Sequence, residues 1–186
     1  MEGSRASIAT PDAVLAFWRA AGPDKWFDRN DAFDDEIRSR FLATYEAAAA
    51  GMLGEWEETP EGALALTIVL DQFPRNMFRG DANAYAADHV ARGVADRAIA
   101  RGFDQKFPAA ERAFFYLPFE HSENLSDQER CVDLFRALGE ADLLKWAELH
   151  ADIIQRFGRF PHRNTILGRD MTEAEQAFLD QGGFTG

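Results

Sequence analysis

The 186-residue chain has one cysteine, Cys131, which excludes an internal disulfide and a cysteine-rich metal site. Cys131 stands beside Val132 and Leu134 inside a capped helical segment, a structural setting rather than a nucleophilic one. Lysine is scarce, at positions 25, 106 and 145 only, so arginine supplies nearly all the positive charge. Arginine is the better residue for bidentate and buried pairs. Net charge is −12 and the isoelectric point is about 4.7. Outside residues 156–169 there is no basic tract, which argues against nucleic acid and against an anionic membrane surface as partners. The longest strongly apolar run, "ALALTIVL" at 63–70, is too short to span a membrane, and the first residues hold no apolar signal core. A cytoplasmic protein is the expectation. Missing too are the phosphate-cradling glycine loops, the G-x-S-x-G nucleophile turn and the H-E-x-x-H zinc motif. A metal held by His121, Glu123, His150 and His162 would need ligands from three separate segments, so neither metal nor cofactor is expected.

What is present is apolar and aromatic. Apolar residues make up 46%, with 16 Phe and 4 Trp, enough for one domain with a substantial core. No linker divides the chain, so residues 1–186 read as a single domain with 1–9 as a flexible extension. Helix punctuation recurs throughout. Thr10-Pro11 and Thr59-Pro60 each pair an N-cap with a proline at the first helical position. Ser126 with Glu129, and Thr172 with Glu175, fit the capping box, and Asp81 fits an N-cap. Phe33, Ile37, Phe41, Tyr45, Ala48 and Met52 form a stripe at helical spacing. A second stripe runs Leu143, Trp146, Ala147, His150, Ile153/Ile154 and Phe157, on which His150 reads as a hydrogen-bonded core residue. Trp18, Trp26, Phe27, Trp56 and Trp146 read as core builders. Pro74, Pro118 and Pro161 read as helix stops. Together these predict about eight helices, no strand, and short connections that pack successive helices as antiparallel neighbours.

Three polar clusters fall at helix ends and turns, where functional residues concentrate. The first is Asp71, Gln72, Arg75, Asn76 and Arg79. The second is Glu120, His121, Ser122 and Glu123. The third is Arg159, His162, Arg163, Asn164 and Arg169. The segments "DQFPRNMFRGD" (71–81) and "GRFPHRNTILGRD" (158–170) echo one another, each with an Arg-Asn pair. The arginines suit the forks of a phosphate or carboxylate site, with Asp71, Gln72, Asn76 and Asn164 as further ligand contacts. Equally, they suit pairing with Asp71, Glu120 and Glu123; a buried Asp71 would need Arg75 or Arg163. His121 or His162 suits acid–base work near neutrality, with Glu120 or Glu123 as partner. Glu120 and Glu123 would share a face if their turn is helical.

The strings "FW" (17–18), "KWF" (25–27), "GMLGEW" (51–56), "LALTIVLDQFPRNMFRG" (64–80), "FFYLPFEHSE" (114–123) and "RFGRFPHRNTILGR" (156–169) resemble the bacterial domain-of-unknown-function 924 family. That resemblance implies an all-α fold of the tetratricopeptide-like helical superfamily, although the 34-residue tetratricopeptide consensus is not present. It implies no activity and no catalytic residue. Three readings follow: a tetratricopeptide-like binding module for a small anionic ligand or peptide; a hydrolase or lyase acting on a small anionic metabolite; or a closed structural network of ion pairs. Oligomeric state is not legible.

Overall fold

The computed structural model describes residues 7–186, and every described regular element is helical. The described residues form nine α-helices: α1 (Pro11–Ala21), α2 (Pro23–Trp26), α3 (Asp31–Ala49), α4 (Pro60–Met77), α5 (Asp88–Ala100), α6 (Ala109–Glu120), α7 (Leu125–Leu138), α8 (Ala141–Phe157) and α9 (Glu173–Asp180). Short 3₁₀ turns lie at Gly54–Glu58, Ala82–Tyr85, Asp104–Lys106 and Pro161–Arg163. Of the expected 1–9 extension, residues 1–6 lie outside the described residues, and Ala9 is tied down by its N–H to Thr44 Oγ1 at 2.8 Å. Two compact units emerge. One contains residues up to Arg79 and Asn83–Pro118; the other contains Gly80–Ala82 and Phe119–Gly186.

The first unit is built around α4. Thr59 accepts the Gly62 N–H at 3.1 Å and Pro60 opens the helix, so its start is capped as the sequence implies. Fifteen of its 18 residues are buried, the pattern of a helix covered on all sides. It packs against α1, α3, α5 and the 54–58 turn. The turn comes so close that a Cβ on Gly62 would lie 2.1 Å from Trp56 O, so only glycine fits there. Around Phe73 gather Phe17, Trp18 and Phe41, with ring centroids 4.9–6.4 Å away. Complete burial of such a ring contributes roughly 2–3 kcal/mol.

The second unit packs α7 on α8, and α9 on the Pro161–Arg163 turn. Its apolar centre is Ile153, Ile154 and Phe160, with Phe157, Phe178 and Phe184 partly buried against them. Gln128, fully buried on α7, donates to Glu120 O at 2.6 Å and Ser122 O at 2.7 Å, satisfying carbonyls at the end of α6. Cys131 is buried, and that burial pushes its thiol pKa up, away from reactivity.

Several local expectations need correction. Pro74 and Pro118 lie inside α4 and α6 rather than ending them. Each sits in the last turn, where little helix remains to be disturbed. Asp81 does not cap α5; a 3₁₀ turn intervenes and the N-cap is Ala87. At α7 the cap is Asn124, whose Oδ1 accepts the Ser126 N–H, not a Ser126–Glu129 box. The Thr172–Glu175 box is present with both its bonds. Met52 falls beyond α3 and is exposed, as are Trp146 and Phe27, so the aromatic core is built by the other rings.

Candidate functional site

The first cluster lies in the first unit, at the C-terminal end of α4. Asp71 is fully buried. Its Oδ2 accepts from Gln72 Nε2 at 2.7 Å, and Arg75 Nη1 donates to its backbone O at 2.8 Å. The same guanidinium grips Asp88 on α5 through two bonds of 2.8 and 3.0 Å. Burial opposes the Arg75 charge, but Asp71 and Asp88 outweigh it and hold the group cationic. One turn on, Asn76 Nδ2 donates to Asp34 Oδ1 at 2.7 Å, and Arg79 closes a fork on the same carboxylate at 2.8 and 3.1 Å. Another buried carboxylate, Asp104, accepts from Tyr116 Oη at 2.7 Å.

The other two clusters meet within the second unit. Glu123 accepts the Phe160 N–H at 2.8 Å and a fork from Arg169 at 2.7 and 3.0 Å. Burial works against the Glu123 carboxylate, yet Arg169 and the Phe160 amide hold its pKa below the ordinary value. Arg169 Nε also donates to Asn164 Oδ1 at 2.9 Å. Asn164, fully buried, turns its amide to Glu175 Oε2 at 3.2 Å. Arg159 completes the set with two bonds to Glu175 at 2.6 and 2.9 Å. That fork, with the Thr172 cap, holds the Glu175 carboxyl down at about 2. Glu120 and Glu123 do not act as a pair. The helix ends at Glu120, whose Oε1 lies 3.6 Å from His150 Nδ1, while Glu123 serves Arg169. His121 follows the helix end, half-buried.

His162 differs from every residue around it. Its ring is half-buried and meets Phe160 at 5.7 Å and Phe184 at 5.2 Å, but among the described residues it makes no hydrogen bond. Burial lowers its pKa to about 4; Arg163, His150 and Arg169 push the same way and Glu123 opposes. It is therefore neutral near pH 7. Arg163 is buried, its guanidinium 4.5 Å from the centre of the Phe160 ring. His150 is buried too, with Nδ1 2.8 Å from Trp146 O. A carbonyl only accepts, so Nδ1 carries the proton.

Among the described residues no group of three or more His, Cys, Asp or Glu side chains is placed to hold a metal, and no helix is long and apolar enough to cross a membrane. Residues 14–183 match the profile of a family described as bacterial protein of unknown function, DUF924. The chain belongs to this family. A solved structure, that of the protein of unknown function ATU0120 from Agrobacterium tumefaciens, is similar to it at 50% identity. The similarity covers 92% of this chain and 97% of that one, with a TM-score of 0.90. No curated protein matches. Family membership thus supports the fold and leaves the chemistry to the site.

Sequence reasoning passed over Asp34, Asp88 and Phe184. Asp34 carried one signal, an acid in the first turn of a capped helix. Glu175 was visible as half of a capping box, though not as the partner of Arg159.

Proposed function

We propose that the chain is a tetratricopeptide-like binding module whose ligand contacts are His162 and Arg163, and whose ligand is a small anion or an anionic group on a peptide. On this reading Arg75, Arg79, Arg159 and Arg169 hold carboxylates of the fold, with Asp71, Gln72, Asn76 and Asn164 completing those pairs. The supporting observation is the state of His162: half-buried, neutral, with no hydrogen bond among the described residues. Arg163 and Arg169 disfavour its protonation, so the local field is positive, with Glu123 the opposing charge. The same field attracts an anion. An anion in contact would in turn raise the His162 pKa, because an opposite charge favours the protonated ring.

The free-state value near 4 lies below the bound-state value, so binding takes up a proton and tightens as pH falls towards 4. Sulfate suits the test because it does not itself titrate in the useful range. Calorimetry at about pH 8 and about pH 5.5 should show tighter sulfate binding at the lower pH, with His162→Gln flattening the difference. Sulfate affinity that ignores both pH and His162→Gln would sink the proposal.

A second reading, a hydrolase or lyase acting on a small anionic metabolite, draws on one observation. The buried Glu120 carboxylate lies 3.6 Å from His150, an acid–base pair different from any centred on His121. If this pair is catalytic, the wild type turns over an anionic ester such as p-nitrophenyl phosphate and His150→Phe does not. No turnover by the wild type removes this reading.

A further inference from the structure

Beyond α9 the hydrogen bonding of the chain stops at two glycines. The Gly182 N–H donates to Leu179 O at 3.0 Å and the Gly183 N–H to Phe178 O at 2.9 Å, the paired bonds of a Schellman stop. Gly182 has φ +81°, a left-handed conformation that favours glycine, and a Cβ there would meet nothing within 4 Å. Past Gly183 the attachment changes in kind. Among the described residues, Phe184, Thr185 and Gly186 make no hydrogen bond. Phe184 is their anchor, half-buried, with its ring 4.6 Å from His150, 5.2 Å from His162 and 6.3 Å from exposed Trp146. From that anchor the chain crosses the His162 ring, where the Cβ position of Gly186 stands 3.3 Å from Cδ2 and Nε2. Thr185 and Gly186 are exposed, so their outer side faces solvent.

We propose that residues 184–186 are an autoinhibitory strap, hinged at Gly182, which lies across His162 Nε2 and must swing away before a ligand reaches that nitrogen. This rests on His162 being a ligand contact, as read above, and needs no other group to be free. Three features carry it. The strap covers the ring without satisfying it, since His162 makes no hydrogen bond among the described residues. Its one anchor is a partly buried phenyl, and the gain from burying such a ring is of the same order as the conformational entropy lost by fixing three residues. Closed and open strap are therefore close in free energy. Opening also breaks no hydrogen bond, because the Schellman pair ends at Gly183 and stays with α9.

Diethyl pyrocarbonate tests the cover without any anion. The reagent acylates neutral imidazole, chiefly at Nε2, and His162 is neutral near pH 7, so slow reaction there reports cover rather than a proton. Exposed His89 serves as the reference within the same chain, and mass spectrometry reads both sites. Phe184→Ala should speed His162 acylation about tenfold relative to His89, since an anchor that closes the strap about nine-tenths of the time is removed. Gly182→Ala should speed it roughly fivefold, because a left-handed alanine strains the closed strap and relaxes in the open one. Sulfate affinity, by calorimetry, should rise by the same factors. Equal acylation in the three proteins overturns the strap. Faster acylation with unchanged sulfate affinity overturns it too, since the segment would then cover the ring without inhibiting the site. Faster acylation with no sulfate bound by any of the three leaves the strap over Nε2 standing and removes the anion reading alone. Should Phe184→Ala lose its cooperative unfolding, Gly182→Ala decides, because its new methyl meets no neighbour.

Discussion

Residues 71–81 and 158–170 each run Phe-Pro, Arg-Asn, then Arg and Gly in opposite orders, then Asp, on different backbones. In the first, α4 runs through Pro74 to Met77, so Arg75 and Asn76 project from a helix. In the second, α8 has already ended, with Gly158 left-handed at its C-cap, and Pro161 opens a 3₁₀ turn. The polar work is nevertheless alike. Asn76 and Arg79 hold Asp34, in the first turn of α3. Asn164 and Arg159 hold Glu175, in the first turn of α9. In both cases a buried asparagine and an arginine fork fix a carboxylate that also favours its own helix start. From Phe-Pro to Arg-Asn the two differ by one residue: the first reads Phe-Pro-Arg-Asn, the second Phe-Pro-His-Arg-Asn. The additional residue is His162, and it takes no part in the clamp. A position absent from one copy and unused by the clamp of the other is where a task beyond folding is to be sought.

This comparison can be tested by substitution. Arg75→Met should have the largest effect, about 3–5 kcal/mol of lost unfolding free energy in denaturant titration, because two low-exposure carboxylates lose their cation. An unchanged midpoint would show that Arg75 is not a lock. Asn76→Leu and Asn164→Leu should cost similar amounts, about 1–3 kcal/mol each, since each leaves part of a buried carboxylate unsatisfied. A cost at only one of them would break the equivalence of the two segments. Glu175→Gln should cost about 1–3 kcal/mol near neutrality. Because the folded Glu175 pKa is about 2, below its unfolded value, its contribution is present above about pH 4.5 and fades as pH falls towards 2. Wild-type and Glu175→Gln stabilities should therefore converge in acid; a gap that persists there would contradict the Arg159 fork as its source. Arg79→Ala should cost least, under about 1 kcal/mol, as its side chain is 38% exposed and screened by water.

Some local signals in the sequence are complete in themselves, whereas long-range partners are not legible there. Thr10, Thr59 and the Thr172–Glu175 box cap helices through neighbours three residues away, so sequence spacing contains the whole interaction. The burial of "ALALTIVL" in a helix follows from its cap and length. By contrast Asn76 and Asp34 are 42 residues apart, and Arg169 and Glu123 are 46 apart. No local spacing distinguishes those acids from the many others on an acidic chain. Pro74 and Pro118 misled because a proline in a last turn disturbs few hydrogen bonds. Trp146 shares the α8 stripe with Ala147 and His150 yet is 51% exposed, since whether a partner covers the edge of a stripe depends on tertiary packing. Of the candidate site, the residue types were legible, and so was the pairing of arginine with Asp71 and Glu123, but not with Asp34, Asp88 or Glu175. The isolation of His162 and the ring of Phe184 against it were not, because both depend on how the chain returns after α9.

The most direct test is the titration of the His162 ring by NMR between about pH 5.5 and 8, without sulfate and at saturating sulfate. Without sulfate the ring should stay neutral across the range, in keeping with a pKa near 4. With sulfate its titration should move up into that range. A His162 that titrates near its ordinary value without sulfate, and does not move when sulfate is added, would contradict the proposal that this residue waits for an anion.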